Sequence, residues 1–290
     1  MPTGGLPEAI MTREDLIRSL FEKSSYGLEI GPSYNPIAAK RLGYKVDVLD
    51  HATTDDLRTK YASELNIDAS LIEDVDFVWS DQTLSETIGK TGAYDYIVAS
   101  HVIEHTPDFL GFINQCSNLL KPDGRLILAV PDMRRCFDAF RPLTSVGAIL
   151  DAAQGGRTRH SPGTAFDHVA YLSTLGGSAS WGRADTGRFS PTYDLAFAKA
   201  IYERSVLSTD YHDFHAWVFT PSSFRLIVSD LHQIDMTELL EVEFLLTDGF
   251  EFIAVLAKTG PASCPGRDEL ILQSRRELSE LIEKLSTVVV

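Results

Sequence analysis

Cysteine is scarce in this chain, which argues against a protein held together by disulfide bonds. The 290 residues include only three cysteines, Cys116, Cys136 and Cys264, and none of them stands in a C-x-x-C pair. Scattered cysteines in an odd number do not build a disulfide framework. They are typical of reduced thiols, and we therefore expect a cytoplasmic protein.

Basic residues and long apolar runs are also lacking. The chain has 26 lysines and arginines against 41 acidic residues, a formal net charge of −15 at pH 7. Nucleic-acid binding and attachment to anionic membranes both need a basic surface, so we expect neither partner. No run approaches the roughly 20 apolar residues of a membrane span, and Glu8, Glu14 and Asp15 do not fit a signal peptide. An apolar content of 44% is ample for a globular core.

A ligand-binding loop is predicted near the start, in the stretch Tyr26–Ser33. The stretch is typical of a short buried strand, and Glu29 is out of place there unless it lies at the carboxyl end, where open α/β sheets bind ligands. Gly31 lets the backbone approach a ligand, and a helix is expected to start at Asn35 and the proline after it. Pro32 and the serine after it stand where the dinucleotide-binding pattern has further glycines, which argues against a nicotinamide cofactor.

Two more strands end in polar residues. The strand at Lys45–Asp50 ends in an acid, and an acid at that place commonly accepts hydrogen bonds from ribose hydroxyls. The strand at Ile97–Ala99 runs into Ser100–His105, and the turn residues Lys121–Gly124 precede a further strand at Arg125–Val130. His101 and His105 stand four residues apart and could bind a metal together, but no third ligand is evident nearby.

At this point the chain resembles the class I S-adenosylmethionine-dependent methyltransferases of the bacterial small-molecule type. The resemblance covers about residues 26–132 and is carried, in the order and spacing of that family, by Leu28–Gly31, Asp50, Ser100–His105 and Leu120–Gly124. It implies an α/β fold: a doubly wound, Rossmann-like, seven-stranded and mostly parallel sheet with an antiparallel last strand and a helical lid insertion after strand five. It also implies S-adenosylmethionine as the cofactor and methyl transfer as the activity.

The resemblance further implies a set of cofactor contacts. Asp81, or else Ser80, would meet the adenine amino group after strand three, and the backbone of Ser100 and His101 would line the methionine end. The complete set of predicted cofactor-binding residues is Glu29, Gly31, Pro32, Asn35, Asp50, His51, Asp81, Ser100, His101 and His105.

The chain is expected to divide into five parts. They are a leader and first helix (1–25), the cofactor-binding core (26–132), the lid (133–215), the remaining strands (216–260) and a C-terminal amphipathic helix (266–290). The Asp248-Gly249 pair is typical of a hairpin, so the last two strands should be antiparallel neighbours. The C-terminal helix either docks on its own domain or joins a second copy in a homo-oligomer.

The lid is where we expect the catalytic residues, because it carries His160, His168, His212 and His215. Transfer of a methyl group to a hydroxyl needs a proton acceptor, and histidine has a suitable pKa. The first candidate is His168, with Asp167 or Tyr171 to orient it, followed by His215 and then His212. An alternative is a divalent metal held by histidines and aspartates of 160–168 and 212–215. We assign no residue as a metal ligand.

The resulting functional hypothesis is methyl transfer to an oxygen or nitrogen of a small molecule, such as a sugar, a nucleotide sugar or a related bacterial metabolite. Two alternatives stay open. One is a non-catalytic cofactor-binding or scaffolding module. The other is a different enzyme on the same fold, such as a nicotinamide-dependent oxidoreductase.

Overall fold

The computed structural model describes residues 11–80 and 82–286. Within them, the strands are β1 (Tyr26–Ile30), β2 (Lys45–Asp50), β3 (Phe77–Val78), β4 (Tyr94–Ser100), β5 (Leu120–Pro131), β6 (Ser173–Leu175), β7 (Phe189–Pro191), β8 (Leu240–Leu246) and β9 (Glu251–Ala257). The α-helices are α1 (Arg13–Arg18), α2 (Thr54–Tyr61), α3 (Leu84–Ile88), α4 (Phe109–Leu119), α5 (Val146–Gln154), α6 (Pro162–Ala170), α7 (Leu195–Leu207), α8 (Pro221–Gln233) and α9 (Arg267–Ser286). Short 3₁₀ turns span Lys40–Leu42, Ala69–Leu71, Ile103–His105 and Met133–Arg135.

The main sheet has the strand order β3-β2-β1-β4-β5-β9-β8. The first five strands pair in parallel, whereas β9 is antiparallel to both β5 and β8. Strand β9 follows β8 through the turn at Asp248-Gly249, as the sequence predicts. The expected doubly wound seven-stranded fold with an antiparallel last strand is therefore confirmed.

Apolar side chains cover both faces of the sheet. In β4, Ile97 and Ala99 belong to the core cluster that includes α4 and α8, whereas Tyr96 and Val98 belong to the cluster that includes α1. This alternation follows from the strand geometry, in which successive side chains point to opposite faces. A strand covered on both faces is apolar along its length, so the few polar groups of the central strands concentrate where those strands end.

The segment 121–124 differs from its expected role as a turn that closes α4. Leu120 pairs with Tyr94 and Arg125 with Tyr96, so both ends of the segment are paired within β5. Four residues of β5 therefore stand opposite a single residue of β4, and the segment forms a bulge. Pro122, Asp123 and Gly124, which are residues typical of turns, therefore lie inside a strand rather than before it.

The insertion after β5 contains the three helices α5, α6 and α7, as expected for a helical lid, together with strands β6 and β7. Helix α6 was not predicted, although Ser161 caps it and Pro162 occupies its first turn. Strands β6 and β7 form a small antiparallel hairpin that the sequence pattern did not indicate.

The C-terminal helix α9 packs against α8, and its Leu281 is buried in an apolar cluster with Met133 and Trp181. Part of its predicted apolar stripe faces outward, because 59% of Ile282 is exposed. Docking of this helix on its own chain is therefore observed, and association of copies through it remains a prediction. Among the described residues, no helix has the length and apolar character needed to cross a membrane.

Gly27 in β1 provides a test of the packing. A methyl group added at its Cα would lie 2.1 Å from the ring of Tyr96, which is buried and stacks on Phe21 at 4.0 Å. Since the ring has no free space to move into, Gly27→Ala should lower the free energy of unfolding by about 1–3 kcal/mol or more. Denaturant unfolding would measure this.

Gly147→Ala is the matched control, because Gly147 is exposed on α5 and its added methyl group meets only Ser145 Oγ at 3.9 Å. This second substitution should be neutral or slightly stabilising. Equal stability of the Gly27→Ala variant and the wild type would contradict the packing described here.

Candidate active site

The loop after β1 forms a narrow backbone turn. Gly31 has φ +65° and Ser33 has φ +49°, so two of its residues adopt left-handed backbone conformations. A methyl group at Gly31 would lie 3.0 Å from Val102 Cγ2. The Ser33 hydroxyl is buried without a hydrogen-bond partner among the described residues. A buried hydroxyl in that state is suited to a ligand that supplies the missing bond.

Asp50, at the end of β2, holds this loop. Its carboxylate is 1% exposed and accepts hydrogen bonds from Ser33 N and His51 N, both at 2.8 Å. His51 Nδ1 lies 2.6 Å from the same carboxylate, and its side chain is 58% exposed. Each carboxylate oxygen can accept two bonds, so Asp50 Oδ2 keeps capacity for a ligand hydroxyl.

Glu29 binds the other side of the loop, and its hydrogen bonds show that the helix prediction for this loop was wrong. Its buried carboxylate accepts hydrogen bonds from Ile37 N at 2.7 Å and Ala38 N at 2.9 Å. Burial raises the pKa of Glu29 to about 7, although these two bonds oppose the shift. The helix expected to start at Asn35 is absent from the described structure, because Glu29 binds N–H groups that a helix would use. Asn35 itself is exposed and donates its N–H to Pro32 O at 2.9 Å.

A network of charged side chains lies at the carboxyl end of β4. Arg13 of α1 donates to Ser100 Oγ at 2.5 Å and pairs with Glu251 at the start of β9. His101, with φ +54°, lies with Nε2 2.8 Å from the Glu251 carboxylate. Although burial alone would lower it, Glu104 and Glu251 raise the pKa of His101 to about 9. Helix α1 therefore lies against the edge of the sheet where the ligand loops end.

Beyond this network, the 3₁₀ turn after β4 meets residues of the insertion. The Glu104 carboxylate is fully buried, and His105 Nδ1 lies 2.7 Å from Asp213 Oδ1. The rings of His105 and His215 stand edge to face with centroids 4.5 Å apart. His101 and His105 do not share an α-helical face. His101 pairs with Glu251 and His105 with Asp213, and both rings also lie beside Glu104, at 3.3 and 3.9 Å.

His215 is the best-anchored histidine of the insertion. Its Nδ1 lies 2.5 Å from the carboxylate of Asp138, and Arg141 donates both to Asp138 at 3.0 Å and to His215 O at 2.9 Å. Although burial opposes it, contact with His215 and Arg141 holds the pKa of Asp138 well below its usual range. With Nδ1 bound to Asp138, the lone pair of His215 Nε2 is left for a ligand or a proton.

His168 touches this group but lacks its predicted partners. Its Nδ1 accepts a hydrogen bond from His215 N at 3.1 Å. Among the described residues, neither Asp167 nor Tyr171 hydrogen-bonds to it, and Tyr171 is 41% exposed. Burial and the nearby His215 lower the pKa of His168 to about 3, which makes it a poor proton acceptor near neutral pH. We call Glu104, His105, Asp138, His168 and His215 the histidine–carboxylate cluster.

His212 lies apart from the cluster, beside His160. Both line a small pocket that also includes Phe214, and both carry buried ring nitrogens without hydrogen-bond partners among the described residues. Burial and the nearby His105 lower the pKa of His160 to about 4. Of the three candidate histidines, His168 and His215 are therefore in contact, whereas His212 lies apart from both.

Sequence reasoning missed Glu104 and Asp138 as members of the site. Glu104 had a local signal, since it is an acid inside the strand-to-helix motif Ser100–His105. Asp138 had none, because its partner His215 lies 77 residues further along the chain.

A family model described as a methyltransferase domain matches residues 13–175, more than half of the chain. The chain belongs to this methyltransferase family. It is an S-adenosylmethionine-dependent methyltransferase, and S-adenosylmethionine is its cofactor. Membership of this family excludes the alternative hypothesis of a nicotinamide-dependent oxidoreductase.

Solved structures show more distant similarity. The methyltransferase shares 15% identity with a putative Zn-dependent alcohol dehydrogenase from Rhodobacter sphaeroides (TM-score 0.46, 85% of this chain and 88% of that chain). It shares 12% with the CcbJ methyltransferase from Streptomyces caelestis (TM-score 0.43, 85% and 94%). It shares 19% with the methyltransferase CalH in complex with SAH (TM-score 0.32, 41% and 36%). Each TM-score is below 0.5, so family membership depends on the family model alone. No curated protein matches the chain at a significant level.

The loops at the carboxyl ends of β1, β2 and β4 fit this cofactor. They supply the unpartnered Ser33 hydroxyl, free acceptor capacity at Asp50 and the close backbone approach at Gly31. We propose that Asp50 receives the ribose hydroxyls and that the Ser100-His101 backbone lines the methionine end. Asp81 lies outside the described residues, and its contact with adenine stays a prediction.

The Asp50→Ala variant should bind S-adenosylmethionine more weakly. Each lost charge-assisted hydrogen bond is worth about 1.5–3 kcal/mol, so Kd should rise at least about 10–100-fold. Calorimetric titration measures this, with Asp55→Ala on the exposed side of α2 as control. An unchanged Kd in a folded Asp50→Ala variant would show that the ribose lies elsewhere.

Proposed function

We propose that the methyltransferase methylates an oxygen or nitrogen of a small polar molecule held beneath the insertion 133–215. A sugar, a nucleotide sugar or a related metabolite fits the polar character of the site. The observation that carries the proposal is the histidine–carboxylate cluster, in which residues of the core and of the insertion meet.

The position of the cluster supports this proposal. Glu104 and His105 follow β4, and Asp138 follows β5, which is paired in parallel with β4. Carboxyl ends of parallel strands meet at one edge of a sheet, and the loops after β1 and β2 end at that same edge. An acceptor that reaches the methyl donor must therefore arrive from the side that the insertion covers.

The chemistry of the cluster is suited to such an acceptor. S-adenosylmethionine supplies a methyl group on a sulfonium sulfur, and the acceptor must present a lone pair in line with it. A hydroxyl or protonated amine has to lose a proton for this, which the protein must assist. His215, held by Asp138 through Nδ1, contributes its Nε2 lone pair to activating the acceptor.

The size of the acceptor is limited by the same features. His215 is 5% exposed and Glu104 is fully buried, so the cluster admits a small molecule or the end of a larger one. The net charge of −15 disfavours nucleic acid as the acceptor. A non-catalytic binding module is the remaining alternative, and turnover decides between the two.

The His215→Ala variant should lose turnover while it keeps cofactor affinity. Assisted proton removal is worth about 10²–10⁴-fold in rate, so kcat should fall by about that factor. The measurement is SAH formation with a panel of sugars and sugar nucleotides, compared with the acceptor-free rate.

His232→Ala, on α8 and outside the cluster, is the matched histidine control and should turn over normally. A His215→Ala variant with wild-type kcat would remove the cluster from the reaction. A wild-type chain that binds S-adenosylmethionine but methylates nothing in a broad panel would favour the binding module.

A further inference from the structure

The Glu104 carboxylate is fully buried, and neither of its oxygens has a hydrogen-bond partner among the described residues. His101 Nδ1 lies 3.3 Å and His105 Nε2 3.9 Å from its Oε1, both outside hydrogen-bond geometry. His101 is also engaged through its other nitrogen with Glu251. No hydrogen bond compensates the burial of this carboxylate, and its charged neighbour His101 is shared with Glu251, so the position suits a further cation.

Two imidazoles converge on the same point. One ligand atom each of Glu104, His105 and His215 lies within 4.8 Å of the other two. Ligand atoms on one tetrahedral cation, each about 2.1 Å from it, stand about 3.4 Å apart. Small side-chain rotations therefore bring the three groups to coordination distance.

A carboxylate lies beside one ring nitrogen of each histidine. His215 Nδ1 lies 2.5 Å from Asp138 Oδ2, and His105 Nδ1 lies 2.7 Å from Asp213 Oδ1. Metal-bound histidines typically place their second nitrogen against a carboxylate, which leaves the first nitrogen for the metal. In this protein the arrangement leaves Nε2 of both rings available.

The charge around the two rings also favours a divalent cation. Three carboxylates stand there, those of Glu104, Asp138 and Asp213, and Arg141 is the guanidinium paired with Asp138. Glu251 is already paired with Arg13, so His101 offsets part of this negative charge. The group keeps a net negative charge that attracts a cation.

We propose that Glu104, His105 and His215 bind one divalent first-row transition-metal cation that also holds oxygen atoms of the acceptor. Two imidazoles and one carboxylate, with further positions open, suit zinc, iron, cobalt or manganese. Magnesium and calcium favour all-oxygen sites and should bind poorly. The acceptor's part in this proposal rests on the proposed function, whereas the metal site does not.

The cation explains how a hydroxyl becomes reactive in a buried site. Coordination stabilises the oxygen as its proton leaves to solvent. A lone pair of that oxygen then forms the O–CH₃ bond, while the sulfur keeps the electron pair of the broken S–CH₃ bond and becomes the neutral thioether of SAH. No oxidant or reductant is needed.

The test is a titration of the full chain with Co²⁺ after treatment with a chelator, without acceptor. We expect one Co²⁺ per chain with visible ligand-field absorption, competed by Zn²⁺ and not by Mg²⁺. Glu104→Gln, which keeps the side-chain shape, should weaken this binding at least about 10-fold, and Asp138→Asn should weaken it about 10–100-fold. Glu243→Gln, on β8 outside the cluster, is the matched control and should bind as the wild type does.

A wild-type chain that binds no Co²⁺, or a folded Glu104→Gln variant with wild-type Co²⁺ affinity, would overturn the metal site. Circular dichroism and the melting temperature report whether each variant is folded. If the Glu104→Gln variant does not fold, His105→Asn provides a second ligand substitution. Turnover that persists in chelator would overturn the metal's role but leave the proposed function standing. Metal binding without methylation of any acceptor would overturn the proposed function but leave the metal site standing.

Discussion

The parallel pairing of β4 with β5 is the constraint on which the whole site depends. With Ser100 opposite Ala129, the two strands end side by side and release the chain at one edge. After β4 the chain continues to Glu104 and His105, and after β5 it continues to Asp138 and the insertion. The antiparallel pairing of β9 with β5 brings Glu251 opposite Pro131, at this same edge. Residues from distant parts of the chain can therefore meet at one edge of the sheet.

Much of the fold could be predicted because its signals are local. The strand ending at Glu29–Gly31, the acid at Asp50 and the motif Ser100–His105 each carry their information within a few residues, and the hairpin at 248–249 needs only its Asp-Gly pair. The helix expected at Asn35 failed because a tertiary interaction overrode a local preference. Glu29 binds the N–H groups of Ile37 and Ala38, and no propensity at 35–38 reveals that.

The histidine–carboxylate cluster was harder to predict, because its contacts join segments far apart in the chain. The histidines of the insertion could be recognised from the sequence as candidate proton acceptors. Their order of preference, however, depended on which carboxylate contacts each of them. Asp167 is adjacent to His168 in sequence yet makes no hydrogen bond with it in the described structure. Asp138 stands 77 residues from His215 and orients it directly. Sequence proximity is a weak guide to which carboxylate serves which imidazole, since neighbouring side chains on a helix point apart.

The packing of α9 sets an order in which the protein can become complete during synthesis. The loops after β1, β2 and β4 belong to the first 105 residues and leave the ribosome early. Met133 and Trp181, at the base of the insertion, are covered by Leu281 of a helix made some hundred residues after Trp181. Chains grow N-terminus first, and early segments fold while later ones are still absent. The loops after β1, β2 and β4 can thus take shape before α9 is made, whereas the base of the insertion is covered only once α9 has been made.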